Sequence, residues 1–215
     1  MSKTIDEKMN EGRQYRSIDL ESFERRSEED GEMIVEGYAT TFNQPYELWH
    51  DDEFTLREQV DPNAFDETDM SDVIMQYDHE GRVFARIANG TLEVEPDEKG
   101  LHIRAKLGGT EIGRQLYEEI AGGYTSKMSF GFTVTGDKVE QKKNEEEGRI
   151  EALRTITKIG KLYDVSAVSL PANDATTISA RNFCEGVIAE IREELAEREK
   201  RERQKQLIKF MAKEI

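Results

Sequence analysis

The 215-residue chain has few of the residues that build disulfides or metal centres. It contains one cysteine, Cys184, and three histidines. A single cysteine excludes an internal disulfide framework and a cysteine-rich zinc site, and it is compatible with a reducing compartment. We therefore expect neither a metal ion nor another cofactor, and the search for a catalytic base is short.

The chain also lacks a long apolar run and has a deficit of positive charge. Thirty Lys and Arg residues against 46 Asp and Glu residues give a formal net charge of −16. An acidic surface repels nucleic acid phosphates and anionic lipid, so neither nucleic acid nor a membrane is an expected partner. The polar N-terminus contains no apolar stretch that could act as a signal peptide. These features predict a cytoplasmic protein that binds other proteins.

The pattern of charge divides the chain into three segments. Residues 1–30 have few apolar anchors, which predicts a flexible N-terminal lead-in. Residues 31–183 contain the patterned apolar segments and are predicted to form the domain. Residues 184–215 hold eight Lys and Arg and eight Glu residues, with apolar positions at helical spacing, which predicts a charged helical tail.

Most of the domain has the two-residue period of β-strands. Alternating apolar residues predict a hairpin over residues 92–107 and a strand over residues 128–134, and apolar runs predict strands at residues 33–42 and 73–77. Thr110 is a predicted N-cap of a helix that ends at Gly122-Gly123. Asp61-Pro62 predicts a short helical segment.

A serine hydroxyl becomes a useful nucleophile only when a base within hydrogen-bond reach accepts its proton. Ser129 lies on the polar side of its predicted strand, opposite Met128 and Phe130. His79 follows the predicted strand 73–77, where an imidazole can meet a partner from another strand. On these patterns alone an ordinary role, as a loop or capping histidine and as a strand-surface serine, is the commoner interpretation of both residues.

The other two histidines are weaker candidates. His102 alternates with Arg104 and Lys106, as an exposed strand residue does. His50 is followed by Asp51, Asp52 and Glu53, and together these side chains could hold a divalent cation. That possibility keeps open a metal-dependent hydrolase that uses His50, His79 and the neighbouring carboxylates.

The order of five motifs resembles that of the tailed-phage prohead proteases, which are related to the herpesvirus assemblins. The motifs are VEGYATTF, VDPNAF, DHEGRVFARIANGTLEVEPDEKGL, GYTSKMSFGF and LYDVSAVSLPAN, within residues 32–182. By this resemblance His79 is the catalytic histidine, Ser129 the nucleophile and Asp164 the carboxylate that orients the histidine. Asp78 stands where the family often has asparagine, and its charge is expected to raise the pKa of His79.

The resemblance also implies a fold and an activity. The fold is expected to be α+β, a mostly antiparallel and partly closed β-barrel of assemblin type with surface helices and a C-terminal helix. The activity is that of a serine endopeptidase that cleaves the scaffold portion of the major capsid protein, and itself, inside the assembling procapsid in the host cytoplasm. Self-association is compatible with this picture.

Several features around this site are left open by the residues. The resemblance implies an arginine near the oxyanion, and either Arg149 or Arg154 is a candidate for it. The amides near Gly122-Gly123 are also candidates, and Gly131 is expected to leave room for a substrate backbone. The tail is expected to dock the enzyme into the shell, with removal by self-cleavage as the alternative. A catalytically inactive capsid-assembly scaffold factor that acts through this tail is the principal rival function.

Overall fold

The computed structural model describes residues 12–19, 24–27, 32–144, 148–169 and 178–211. The chain is α+β, with strands in the majority and a C-terminal helix, as expected. The strands are β1 (Gln14–Asp19), β2 (Glu24–Ser27), β3 (Met33–Thr41), β4 (Tyr46–His50), β5 (Phe54–Val60), β6 (Ile74–Tyr77), β7 (Glu80–Arg86), β8 (Leu92–Pro96), β9 (Gly100–Lys106), β10 (Lys127–Lys143) and β11 (Ile150–Val168). The α-helices are α1 (Glu111–Ala121) and α2 (Ile178–Met211), and a 3₁₀ turn spans Ile87–Asn89.

The strands form two sheets. One has the order β1-β10-β11-β5-β4, with β6 joined to β11 and β7, and the other has the order β2-β3-β9-β8. Pairing is mostly antiparallel, as predicted, although β5 and β6 both run parallel to β11. Among the described residues the sheets do not close into the expected barrel. A parallel bridge between Phe42, just after β3, and Val60 of β5 links the two sheets.

The apolar faces of the strands build the main core. On β10 the side chains of Met128, Phe130 and Phe132 are fully buried in this core, as the sequence predicts. The intervening Ser129 is also 0% exposed, so both faces of this part of the strand are covered. Helix α1 also begins and ends where predicted. Its N-cap Thr110 accepts a hydrogen bond from the Gly113 N–H, and Gly123 has φ +74° just after its end.

The helix predicted after Asp61 is wrong. Residues 61–68 form successive turns, beginning with the Ala64 N–H bonded to the Asp61 carbonyl. The Asp61 carboxylate accepts from the Asn63 N–H, a local bond that competes with helix formation. The segment is also tied to β11, because the Ile159 N–H donates to the Ala64 carbonyl. Pairing with β11 therefore overrides the local helical signal.

The predicted lead-in contains two strands. Strand β1 pairs antiparallel with β10, and its Arg16 is buried beside the fully buried Glu58 and Arg154. Arg16 Nε lies 2.6 Å from Glu58 Oε1, and Arg154 Nη1 lies 2.5 Å from Glu58 Oε2. Burial alone would raise the pKa of Glu58, but the two guanidinium groups outweigh it and lower this pKa to about 2. Buried ion pairs thus add to the backbone pairing that holds β1 on β10.

The tail helix packs at its N-terminal half. Ile188 and Ile191 are buried in a second cluster with Phe54, Leu56 and Ala152, and Arg192 pairs with Glu53 at 2.8 Å. From residue 196 to residue 206 the side chains of α2 are exposed. The buried side chains described for this helix therefore lie in its first half.

We predict that Glu58→Gln destabilises the chain by about 3–5 kcal/mol at pH 7, because it leaves two buried arginines without their shared carboxylate. Urea unfolding measures this change. The depressed pKa means that Glu58 contributes stability above about pH 4.5 and that this contribution is lost as the pH falls towards about 2. The difference in the free energy of unfolding between the unmodified chain and Glu58→Gln should therefore shrink over that range. The matched control is Glu67→Gln, which removes an exposed partner of Lys158 and should leave the unfolding midpoint unchanged.

Candidate active site

His79 lies in a two-residue β-turn between β6 and β7. Tyr77 pairs with Glu80, and the two residues between them, Asp78 and His79, have φ +48° and +60°. Positive φ at both central residues defines a type I′ turn, which usually contains asparagine or glycine. Such conformations in residues other than glycine are kept only where surrounding contacts fix them, and they cluster at functional sites.

The turn is fixed by Asp78. Its N–H donates to the Ala167 carbonyl at 3.0 Å. Its carboxylate accepts from the N–H of Ser169 at 2.8 Å and from the hydroxyl of the same residue. Aspartate also tolerates the left-handed region better than most residues. Asp78 therefore ties the His79 turn to the end of β11, a positioning role that sequence reasoning missed.

Ser129 and Asp164 come from neighbouring strands. In the β10–β11 register Ser129 is opposite Ser166 and Gly131 is opposite Asp164, so these residues share one face of the sheet. Strand β6 lies on the other side of β11, with Ile74 opposite Asp164, and it brings the turn to the same place. Two strand pairings thus deliver three side chains to one point.

The three side chains form a continuous hydrogen-bonded chain. Ser129 Oγ lies 2.6 Å from His79 Nε2, and His79 Nδ1 lies 2.5 Å from Asp164 Oδ1. The Ser166 hydroxyl donates to the same Asp164 oxygen at 2.7 Å. This is the spatial relation of a nucleophile, a base and an orienting carboxylate. The structure thus brings together all three residues singled out in the sequence.

The site is largely closed to water. Ser129 and Asp164 are 0% exposed, and the His79 side chain is 13% exposed. Burial, followed by the positive charge of Arg13, lowers the pKa of His79 to about 4, while Asp78 acts in the opposite direction. The expected upward shift is therefore wrong in its net direction. His79 is neutral near pH 7, the form that can accept a proton.

The space above Gly131 is occupied. A Cβ atom at this position would overlap the Asp164 carboxylate and lie 2.8 Å from Arg13 Nε. The room expected for a substrate backbone is instead filled by an ion pair of Arg13 with Asp164. Sequence reasoning missed Arg13 because residues 1–30 were assigned to the lead-in. Its only sequence signal is a basic side chain near the start of a polar segment.

The remaining candidates lie elsewhere. Arg154 is opposite Val139, ten positions beyond Ser129 on β10, and it is fully buried in the Glu58 cluster. Arg149 Nη1 lies 3.3 Å from His50 Nε2, next to the opposite end of β11 from the triad. Neither arginine is placed to bind an oxyanion at Ser129. Gly122-Gly123 follows α1, and the two amides donate to the Glu118 and Ile120 carbonyls at the end of this helix.

The metal hypothesis has no support in the arrangement of side chains. Within residues 12–19, 24–27, 32–144, 148–169 and 178–211, no three His, Cys, Asp or Glu side chains are grouped as metal ligands. His50 faces Thr55, at 3.1 Å between Nδ1 and Oγ1, whereas both ring nitrogens of His79 are hydrogen-bonded within the triad. His102 lies on the other sheet beside the Tyr38 ring.

A family model described as caudovirus prohead serine protease matches residues 21–187. The match covers more than half of the chain, so the protein belongs to this family. The matched range contains His79, Ser129 and Asp164, and it extends beyond the predicted domain at both ends. Strand β1 lies outside the matched range. Comparisons with curated proteins and with solved structures find no match. Neither described helix is long and apolar enough to cross a membrane.

We predict that the imidazole of His79 titrates well below 6.5, near pH 4, because the charged form is disfavoured by burial and by Arg13. The pKa can be measured from the Cε1–H resonance, assigned by its loss in His79→Gln. The folded state then binds fewer protons than the unfolded chain between about pH 4 and 6.5, so stability should fall on acidification through this window. A midpoint at or above 6.5 would contradict this electrostatic picture.

A second prediction concerns the turn that carries His79 and its dependence on Asp78. Asp78→Asn keeps an acceptor for the Ser169 N–H and a residue that tolerates positive φ, so His79 should stay in place. Asp78→Val removes both, and a β-branched residue strains the turn. We expect the valine variant to lose roughly 10- to 100-fold in catalytic rate and the asparagine variant to stay within a few-fold of the unmodified chain. Equal rates in the two variants would show that the turn does not depend on Asp78.

Proposed function

We propose that the chain is a serine endopeptidase with Ser129 as nucleophile, His79 as general base and Asp164 as orienting carboxylate. The observation that carries this proposal is the chain of hydrogen bonds from Ser129 Oγ through the His79 ring to Asp164. The family membership supports the same class of reaction.

In the proposed acylation step, His79 Nε2 accepts the Ser129 proton while Oγ attacks the substrate carbonyl carbon. The C–N bond then breaks as the imidazolium gives that proton to the leaving amine, and an acyl-enzyme remains. In deacylation a water oxygen attacks the acyl carbon while His79 Nε2 accepts a proton from this water. The bond between the acyl carbon and Oγ then breaks, His79 returns the proton to Oγ, and the carboxylic acid product leaves. Asp164 stays ionised and holds the Nδ1–H tautomer throughout.

Access to the nucleophile is part of this mechanism. Ser129 is fully buried, so a substrate carbonyl can reach Oγ only after the side chains that cover it move. Local opening that admits a substrate also admits a small electrophile, so the covered hydroxyl is expected to react with either one at a rate limited by this opening. We propose that the two sheets of this fold are parts of the partly closed, assemblin-type β-barrel that the resemblance implies.

For the substrate we propose the scaffold portion of the major capsid protein, and the enzyme itself, within the assembling procapsid in the host cell. The family description, a prohead protease, supports this setting. The acidic charge supports it as well, because the whole net charge of −16 falls on residues 1–183 and disfavours binding to packaged nucleic acid.

The rival functions make different use of the same residues. An inactive assembly factor does not need a base within 2.6 Å of a serine hydroxyl. A metal-dependent hydrolase needs free imidazole nitrogens, whereas both nitrogens of His79 are hydrogen-bonded. The triad geometry therefore favours the peptidase.

Co-expression with the capsid protein of the same phage tests this proposal. Ser129→Ala and His79→Gln should abolish processing, and Asp164→Asn should reduce it by about 10⁴-fold in rate, because the carboxylate no longer fixes the tautomer. The matched controls are Ser71→Ala and His102→Gln, which alter residues outside the triad and should process normally. Processing that survives Ser129→Ala, or that is lost on adding a chelator, would contradict the proposal.

The tail generates a separate prediction. We propose that the exposed part of α2 docks the enzyme into the shell, because its first half already packs on the domain while residues 196–206 are exposed. A chain truncated after residue 196 keeps Ile188, Ile191 and Leu195 and should cleave normally in solution. It should be packaged into procapsids much less efficiently than the full chain. Equal packaging of the two chains would refute this role.

A further inference from the structure

We infer that Arg13, which directly precedes β1, is a positioning residue that holds the Asp164 carboxylate in register with His79. The inference deepens the proposed peptidase function and rests on it. It adds a fourth side chain to the triad, from a segment outside the residues that the family model matches.

The first observation is that the two carboxylate oxygens of Asp164 have different partners. Oδ1 accepts hydrogen bonds from His79 Nδ1 and from the Ser166 hydroxyl. Oδ2 faces the Arg13 guanidinium in an ion pair. A carboxylate that is 0% exposed requires compensation at both oxygens, since an uncompensated buried charge costs several kcal/mol. Arg13 supplies it at the oxygen that the triad leaves unused.

The second observation is the space made for this pair. Gly131, on the strand that carries the nucleophile, lies directly beneath it, and a Cβ there would be 2.8 and 2.9 Å from Arg13 Nε and Nη2. Two rings flank the guanidinium, with its carbon 5.1 Å from the Tyr15 centroid and 4.7 Å from the Tyr163 centroid. The guanidinium of Arg13 thus lies against Gly131 and between two aromatic rings, although its side chain is still 33% exposed.

The third observation is the contact between β1 and the base. The Tyr15 ring packs on the His79 ring, with 4.3 Å between the centroids. Tyr15 is also opposite Gly131 in the β1–β10 register, so Arg13 and Tyr15 lie on the triad face. The segment at the start of β1 therefore touches both the base and the group that orients it.

The charges around His79 determine how its pKa responds to the loss of Arg13. The ring contacts Tyr15, Asp164 and Ser129. The charges of Arg13 and Asp78 also act on it. Arg13 is the cation of this set, and it disfavours the protonated imidazole. Its removal leaves Asp78 and Asp164 to stabilise the imidazolium. A residue that only supported folding would not change the titration of a folded protein in this way.

The experiment compares Arg13→Gln, Arg13→Lys and Gly131→Ala in the full-length chain. Each variant is assayed twice, by the titration of the His79 Cε1–H resonance and by the rate of capsid protein processing in co-expression. Arg114→Gln is the control, because it removes an exposed arginine of α1 whose side chain donates only to the nearby Gly108 carbonyl among the contacts described for it. Folding is checked from the dispersion of the amide resonances.

Arg13→Gln should raise the His79 pKa and slow processing by roughly 10- to 100-fold, as expected when an orienting group is misplaced by about 1 Å. Arg13→Lys keeps the charge and should keep most of both properties. Gly131→Ala should be at least as impaired as Arg13→Gln, because the added methyl overlaps the Asp164 carboxylate as well as the guanidinium. Adding Arg13→Gln to it should cost little more, since the ion pair is already disrupted.

An unchanged His79 pKa in folded Arg13→Gln would overturn the inference, and so would a lysine variant as impaired as the glutamine variant. If Arg13→Gln does not fold, Gly131→Ala carries the test, and an unchanged pKa there contradicts the inference. The titration does not depend on hydrolysis. A chain without processing activity but with the predicted pKa changes would therefore refute the proposed function and leave the role of Arg13 standing.

Discussion

The site depends on one buried carboxylate. Asp164 has no exposed surface, and its charge is tolerable because it accepts hydrogen bonds from His79 and Ser166 and pairs with Arg13. Each of these partners comes from a different position in the chain. The carboxylate therefore enforces the meeting of the β6–β7 turn, β11 and the start of β1, and it orients the imidazole towards Ser129 in the same arrangement.

Strand β11 organises the rest of the molecule around this carboxylate. It pairs with β10 along one edge and with both β5 and β6, in parallel, along the other. Its first half carries Arg154 into the Glu58 cluster, and its second half carries Asp164 into the triad. The cluster fastens β1 to the sheet through Arg16, and that attachment places Arg13 over the triad. One long strand thus couples an ion-pair anchor to a catalytic arrangement.

The sequence predicts those parts of the fold that local patterns determine. Alternation located β10 and the β8–β9 hairpin, and capping residues located α1, because each signal lies within a few residues. It failed where distant pairing decides the outcome. Residues 61–68 form turns because β11 competes for their backbone hydrogen bonds, and β1 is held by the charges of Arg16 and Glu58, which hydrophobic patterning does not detect.

The sequence likewise predicts only part of the candidate site. The residue types at His79 and Ser129 could be shortlisted from their positions at strand ends and on strand faces, and Asp164 came from the resemblance. Their support could not be read from the sequence. Asp78 acts through Ser169, 91 residues away, and Arg13 acts in the space that Gly131 leaves, so both roles exist only in the folded chain.

The central claim is that a neutral His79 activates Ser129. Its most direct test is the reaction of the purified protein with a fluorophosphonate, followed by peptide mass spectrometry. The account predicts a single covalent adduct on the peptide that contains Ser129, formed at a rate that falls as His79 becomes protonated. A folded protein that forms no adduct, or that is modified at another serine while Ser129 stays free, would contradict it.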